Sequence, residues 1–197
     1  MSRTPLIVAA LLLSVLLLGW WGGPGQPLEV AVVRELLAWR DTHPGGTHLL
    51  AVLTIFGNPV VLVPVALAAA LALLPTSARD AAFLLLTVLT GRAVVEAAKW
   101  LTNRERPLFE ERRVDVFSQS FPSGHAANSM LTLLALALYA APPRWRRPAL
   151  ITAVLLSLII GATRPLLGVH WPSDVLAGWL LGVAWVILWW RIRVSSA

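Results

Sequence analysis

The 197-residue chain contains no cysteine. Disulfide staples and thiolate metal sites are therefore excluded. The compartment stays open, because a cysteine-free chain can sit on either side of a membrane. Charge is scarce as well: only 13% of residues are Asp, Glu, Lys or Arg, against roughly a quarter in a soluble domain. That deficit excludes a water-soluble enzyme and a disordered chain, and the missing cysteines exclude a small disulfide scaffold. Lysine is almost absent, a single Lys99 beside 15 arginines, and the net charge is +6. A basic balance can mean nucleic acid, but no soluble domain remains to present it. Anionic lipid headgroups are the expected partner, and nucleic acid is not.

What is present in excess is apolar: 57% of the residues are hydrophobic, and they sit in long runs. Six apolar segments are legible, at about 5–21, 49–74, 81–101, 124–141, 148–163 and 173–190. About 17–25 residues of helix cross a hydrocarbon core of roughly 30 Å. Lipid cannot satisfy an open backbone, and the runs lack barrel alternation, so helices are the expected element. Trp20, Trp21, Trp100, Trp171, Trp189 and Trp190 fall near the predicted ends, where an aromatic belt belongs. The first segment has Arg3 ahead of it, as a signal peptide does. Its end, Gly19-Trp20-Trp21-Gly22-Gly23, fits a small-residue cleavage site poorly, so it is read as a retained span. There is no internal repeat. The expectation is an all-α polytopic membrane bundle of six transmembrane helices, one integral-membrane domain over 1–197.

With six spans, both termini share one side with the turns at 75–80 and 142–147. Counting basic residues on each side does not decide orientation. Density does better: Arg144, Arg146 and Arg147 crowd one short turn, where the positive-inside bias is strongest. The termini are therefore expected in the cytoplasm. Segment 28–40 is not a span. Leu28, Val32, Leu36 and Trp39 recur at helical spacing among Glu29, Arg34, Glu35 and Arg40, the pattern of a short interfacial amphipathic helix or of one packed on its own bundle. His43 and His48 flank the second span as surface histidines, since no carboxylate stands at a ligand spacing.

Three polar stretches interrupt the apolar chain, all at the outward ends of spans. They are Lys99 to Pro107, Phe121-Pro122-Ser123-Gly124-His125, and Thr163-Arg164-Pro165 followed by His170-Trp171-Pro172-Ser173-Asp174. Ionisable residues at or inside spans are functional candidates. His170 and Asp174 are four apart, so the carboxylate can hold one ring nitrogen and leave the other free to attack. Read alone, Asp174 is an acid at a helix N-terminus beside an incidental His. Ser123 and Gly124 open a helix whose backbone N–H groups form an anion site within reach of His125; read alone, Ser123 is an N-cap. Lys99, Arg106 and Arg164 add fixed cations for a dianion, though an isolated Lys at a span end simply snorkels. Arg92, Glu96 and Lys99 share a helix face, and Arg92–Glu96 is expected as a pair inside the bundle.

Taken together, these stretches resemble the type-2 phosphatidic acid phosphatase superfamily, membrane lipid phosphatases that share a core with vanadium haloperoxidases. The family pattern is Lys-x6-Arg-Pro, Pro-Ser-Gly-His and Ser-Arg-x5-His-x3-Asp. Lys99-x6-Arg106-Pro107, Pro122-Ser123-Gly124-His125 and Arg164-x5-His170-x3-Asp174 match it. Thr163 replaces the family Ser, keeping the hydroxyl and adding a methyl. The motif-bearing core covers about 99–174.

The resemblance implies roles. Lys99, Arg106 and Arg164 would hold the phosphate with Ser123 and Gly124. His170 would attack phosphorus, Asp174 would orient it, and His125 would protonate the leaving oxygen and then activate water. No metal and no other cofactor is implied, and Glu105, Glu110, Glu111 and Asp115 lie scattered without metal-ligand spacing. The loop at about 104–121 is expected at the rim of an outward-facing site. The substrate would be a lipid phosphate: phosphatidic acid, phosphatidylglycerol phosphate or a polyprenyl diphosphate such as undecaprenyl diphosphate. Two rival readings stand beside it. One is a lipid phosphotransferase on the same phosphohistidine. The other is an anionic-lipid transporter, against which the lack of repeated halves counts. The sequence leaves the oligomeric state open.

Overall fold

The computed structural model describes residues 3–109 and 118–196. Among these the chain forms eight helices: α1 Thr4–Trp21, α2 Pro27–Thr42, α3 Pro44–Ile55, α4 Pro59–Leu73, α5 Ala78–Thr102, α6 Gly124–Tyr139, α7 Pro143–Leu166 and α8 Pro172–Ser195. Proline marks the starts. Pro27, Pro44, Pro59, Pro143 and Pro172 are each the first residue of a helix, where a missing N–H costs nothing and φ is already set. Asn58 caps α4 by accepting from Val60 N at 2.9 Å, and Ser77 caps α5 through Asp80 N at 3.1 Å. Helix α5 ends at Asn103, left-handed at φ 44°, a conformation Asn tolerates better than most residues.

Four helices, α1, α5, α7 and α8, are long and apolar enough to cross a membrane. The predicted span 49–74 is two helices: α3 and α4 are bent by 42° at the break between them and together make a fifth candidate. The break follows from Gly57-Asn58-Pro59, a flexible residue, a capping residue and a proline in succession. Helix α7 starts at Pro143, five residues before the predicted 148. Arg144, Arg146 and Arg147 therefore lie on its first turns rather than in a turn between spans.

Helix α6 is the centre of the bundle. Twelve of its sixteen residues are buried, against α5, α7 and α8 on different sides. The main core joins Leu84 and Val88 of α5, Leu131 and Ala135 of α6, and Val186 of α8. Close approach of α6 and α8 depends on Gly178 and Gly182, four residues apart. A Cβ at Gly178 would stand 2.8 Å from the Ser123 carbonyl oxygen, and one at Gly182 would stand 3.0 Å from that of Ala127. This is small-residue packing of the kind that joins helices in lipid.

The two ends of the bundle differ. At one end Arg193 pairs with Asp80 at 2.8 Å, Arg79 donates to the Arg193 carbonyl at 2.6 Å, and Arg146 lies over Trp190. The three polar stretches gather at the other.

Helix α2 covers the segment expected to be helical, and the face it packs on the bundle is not the Leu28, Val32 and Trp39 stripe. Glu29, Val33, Leu37 and Arg40 point inward, while Leu28, Val32 and Trp39 are exposed. Glu29 is the reason: its carboxylate accepts from Ser173 N at 2.6 Å and from Ser173 Oγ at 2.8 Å, so the polar edge is the docking edge. Trp171 likewise departs from the aromatic belt. It is fully buried with Val33 and Leu37, and its Nε1 donates to the Glu105 carbonyl at 2.9 Å. Trp20 and Trp100 are strongly exposed, as belt residues are. The Arg92–Glu96 pair does not form: Glu96 is exposed and Arg92 Nη1 is buried without a hydrogen-bond partner.

Candidate functional site

Each polar stretch arrives at the site on a different support. Lys99 is on the last turn of α5, and Arg106 follows in the segment beyond it. Ser123, Gly124 and His125 open α6. Arg164 closes α7, His170 lies in the α7–α8 loop, and Asp174 is in the first turn of α8. Pro172 starts α8, and Asp174 then accepts from Trp171 N at 2.9 Å. That bond completes the helix start and turns the carboxylate back towards His170.

His170 is fully enclosed, at 1% exposure. Its Nδ1 faces Asp174 Oδ2 at 3.3 Å, and its Nε2 lies 3.0 Å from Arg106 Nη1. A guanidinium can only donate. Nε2 is therefore the acceptor, and the ring proton sits on Nδ1 towards the carboxylate. Burial, with the neighbouring Arg106, Arg164 and Lys99 charges, holds the His170 imidazole well below its ordinary range near 6.5. The ring is thus a neutral base with its lone pair at Nε2.

The cations surround this ring. Arg106 is anchored by Nε to the Ser118 carbonyl at 2.7 Å and by Nη1 to that of Val169 at 2.6 Å. Lys99 Nζ donates to Ser118 Oγ at 3.0 Å. Arg164 Nη1 donates to Thr54 Oγ1 of α3 at 2.6 Å, which leaves Nε buried and unpartnered. Two further polar atoms at the start of α6 are buried without partners, Ser123 Oγ and Asn128 Nδ2. A Cβ on Gly124 would stand 3.2 Å from Lys99 Nζ and 3.8 Å from Asn128 Nδ2, so glycine keeps this approach open. His125 packs against Gly57 at the α3–α4 break, where a Cβ would come within 3.1 Å of its ring. Three cations, idle donors at a helix N-terminus and a neutral imidazole held by a carboxylate suit an oxyanion carrying more than one charge. Among the described residues, no three His, Asp or Glu side chains are placed to hold a metal ion.

All eight residues read from the sequence gather at this end of the bundle. His43 and His48 stay outside, His43 stacked on Trp39 at 4.6 Å. Thr163 turns its hydroxyl to the Ile160 carbonyl of its own helix at 2.6 Å, away from the cations. Residues 110–117 of the expected rim, with Glu110, Glu111 and Asp115, lie outside the described residues. Sequence reasoning missed Thr54, Ser118, Ser120, Asn128 and Arg104. Ser120 Oγ donates to Asp174 Oδ2, and Arg104 Nη1 donates to Asp174 Oδ1 at 2.9 Å. Arg104 carried a signal, a third cation within one short stretch of a charge-poor chain. Asn128, one helical turn after Gly124 in an apolar run, carried another. Thr54 and the serines carried none.

Comparison with known proteins follows the same lines. The PAP2 superfamily profile matches residues 80–196. An undecaprenyl-diphosphatase of Sulfolobus acidocaldarius is 29% identical over 146 residues, covering 70% of this chain and 66% of that protein. Phosphatidylglycerophosphatase B of Bacillus subtilis is 31% identical over 109 residues, 53% of each chain. The match thus spans about two thirds and about half the length of these relatives. Among solved structures, a transmembrane PAP2-type phosphatidylglycerolphosphate phosphatase from Bacillus subtilis superposes with a TM-score of 0.88 at 24% identity, covering 96% of this chain and 97% of that one. LpxE of Aquifex aeolicus gives 0.67 at 22%, covering 85% and 97%. At these identities the two structures establish a common fold.

Proposed function

The chain belongs to the PAP2 superfamily, and from that premise we propose that it is a metal-independent phosphatase of membrane lipid phosphates, working through a phosphohistidine. The observation that carries this reading is the His170 ring, with Nδ1 held by Asp174 at 3.3 Å and Nε2 turned to Arg106 at 3.0 Å. An arriving phosphate oxygen takes over the Arg106 donor and frees the Nε2 lone pair. Nε2 attacks phosphorus in line and the bond to the lipid oxygen breaks. His125 gives that oxygen a proton, and Asp174 stabilises the charge growing on the imidazole. Water, deprotonated by His125, then attacks the phosphohistidine and releases inorganic phosphate. Lys99, Arg106, Arg164, the Ser123 hydroxyl and the Gly124 N–H hold the equatorial oxygens, which is most of the task in phosphoryl transfer.

The substrate is drawn from phosphatidic acid, phosphatidylglycerol phosphate and polyprenyl diphosphate. In a bilayer, α6 and the α3–α4 pair join the four long helices to make six spans. The Arg144–Arg147 end then lies in the cytoplasm with both termini, and the site faces outward. The exposed Leu28, Val32 and Trp39 of α2 rest in the interface beside it. The whole chain acts as a single domain.

The test is phosphate release in detergent from a panel of these lipids, with wild type and His170→Ala side by side. Wild type should release inorganic phosphate from at least one lipid, with EDTA present, and His170→Ala should not. Alkaline quenching of wild type with a radiolabelled lipid phosphate should trap an acid-labile label on the protein. An acid-stable label, or one that survives in His170→Ala, would disprove the phosphohistidine. Transfer of phosphate to an added lipid acceptor in place of water would identify a phosphotransferase.

A further inference from the structure

Arg104 stands at an unspecified position inside the first motif block, yet it is buried and makes four hydrogen bonds. Nη1 donates to Asp174 Oδ1 and Ser173 Oγ, both at 2.9 Å. Nη2 donates to the carbonyls of Leu18 at 2.8 Å and Gly19 at 2.6 Å, the last turn of α1. Its plane lies 4.4 Å from the Phe121 ring, the residue before the Pro122-Ser123-Gly124-His125 block. One guanidinium therefore touches α1, α8 and the segment leading into α6 at once. It takes the one oxygen of Asp174 that His170, Ser120 and Trp171 do not use.

We propose that Arg104 is the positioning residue of the His170–Asp174 pair, and that α1 takes part in catalysis through it. The claim rests on the phosphohistidine reading and deepens it. A carboxylate with no exposure needs a fixed counter-charge to stay ionised, and Arg104 supplies it without touching the phosphate cradle. Its fork fixes the carboxylate plane, and the plane fixes the ring of His170. The two α1 carbonyls fix the fork in turn. They are at a helix C-terminus, where the partial charge is negative and a cation is favoured. Helix α1 packs on α8 through Val15 and Leu18, and this polar tie fixes the C-terminal end of that contact. Lysine cannot take the place of Arg104, because one ammonium cannot span Asp174 and two carbonyls on the opposite side.

The experiment compares wild type, Arg104→Ala and Arg104→Lys on the best lipid phosphate of the panel, with inorganic phosphate as competitive inhibitor. In Arg104→Ala, kcat should fall on the order of 10²-fold, the cost of a slightly misplaced reacting group. KM and the inhibition constant for phosphate should stay within about twofold, since Lys99, Arg106 and Arg164 remain. Added methylguanidinium should restore part of kcat to the Ala variant and nothing to wild type. Should Arg104→Ala fail to fold, Arg104→Lys carries the test: kcat should drop while phosphate inhibition persists. An unchanged kcat in either variant, or a phosphate inhibition constant that rises in step with the loss, overturns the positioning role and leaves the phosphatase reading intact. A wild type that releases no phosphate from any lipid overturns both.

Discussion

Arg106 is the residue on which the proposed chemistry turns. It holds the backbone carbonyls of Ser118, Gln119 and Val169 with donors of fixed geometry and still presents Nη1 to His170. Arg106→Lys keeps the charge and loses the fork, so kcat/KM for a lipid phosphate should fall about 10²–10³-fold, the usual cost of one donor to a developing oxyanion. His170 has its own signature in pH. Its folded-state pKa is depressed, so the folded protein stays unprotonated there while an unfolded chain takes up a proton below about pH 6.5. The stability this neutral ring contributes is complete above that pH and lost as pH falls towards the folded-state pKa. Between about pH 7 and pH 5, the Tm of wild type should drop more than that of His170→Gln. The acid limb of kcat/KM set by His170 should lie well below pH 6.5. The motif residues were legible because chemistry prescribes their types and spacings. Ser118, Ser120 and Thr54 were not, because a hydroxyl in an apolar chain is common and only its partner gives it meaning. Arg104 sat in plain view two residues before Arg106, without a spacing rule to single it out.

At the scale of elements, the apolar segments located the helices but ran α3 and α4 together as one span. In α2 the apolar stripe suits either the membrane interface or the bundle, and Glu29, docked on Ser173, leaves Leu28 and Val32 outside. In lipid an apolar stripe has two possible destinations, so hydropathy alone cannot name the inner face; the buried charge does. The bend between α3 and α4 was written in Gly57-Asn58-Pro59 but was masked by unbroken hydropathy on both sides. The seam between α6 and α8 gives the sharpest prediction here. Gly178 faces the carbonyl of Ser123, so its packing sets where the first turn of α6, proposed to hold phosphate, lies. Gly178→Ala should cost about 1–3 kcal/mol by overpacking, read as a lower Tm in detergent. Phosphate inhibition should weaken with it, although residue 178 lies outside the motif blocks.

For the molecule as a whole, the native chain has no cysteine, so single introduced thiols report sidedness directly. Ser118→Cys, exposed at the site end, should react with an impermeant maleimide in intact cells, and Ser196→Cys should not. The reverse pattern would invert the orientation. The bundle is also built from unequal lengths. Helices α5, α7 and α8 have 24 or 25 residues, about 36–38 Å, while the enclosed α6 has 16, about 24 Å. The outer three run past a hydrocarbon core of roughly 30 Å, with Arg79, Arg144 and Arg193 on their overhanging turns, so they can slide or tilt as bilayer thickness changes. Helix α6 carries His125 and the turn proposed to hold phosphate, and it is mostly enclosed, so it has little thickness of its own to match. Adjustment to the bilayer is then borne by the shell and spared the centre. Turnover in short-chain and long-chain phosphatidylcholine vesicles should differ little, and the active site should keep its geometry in whatever membrane thickness the cell provides.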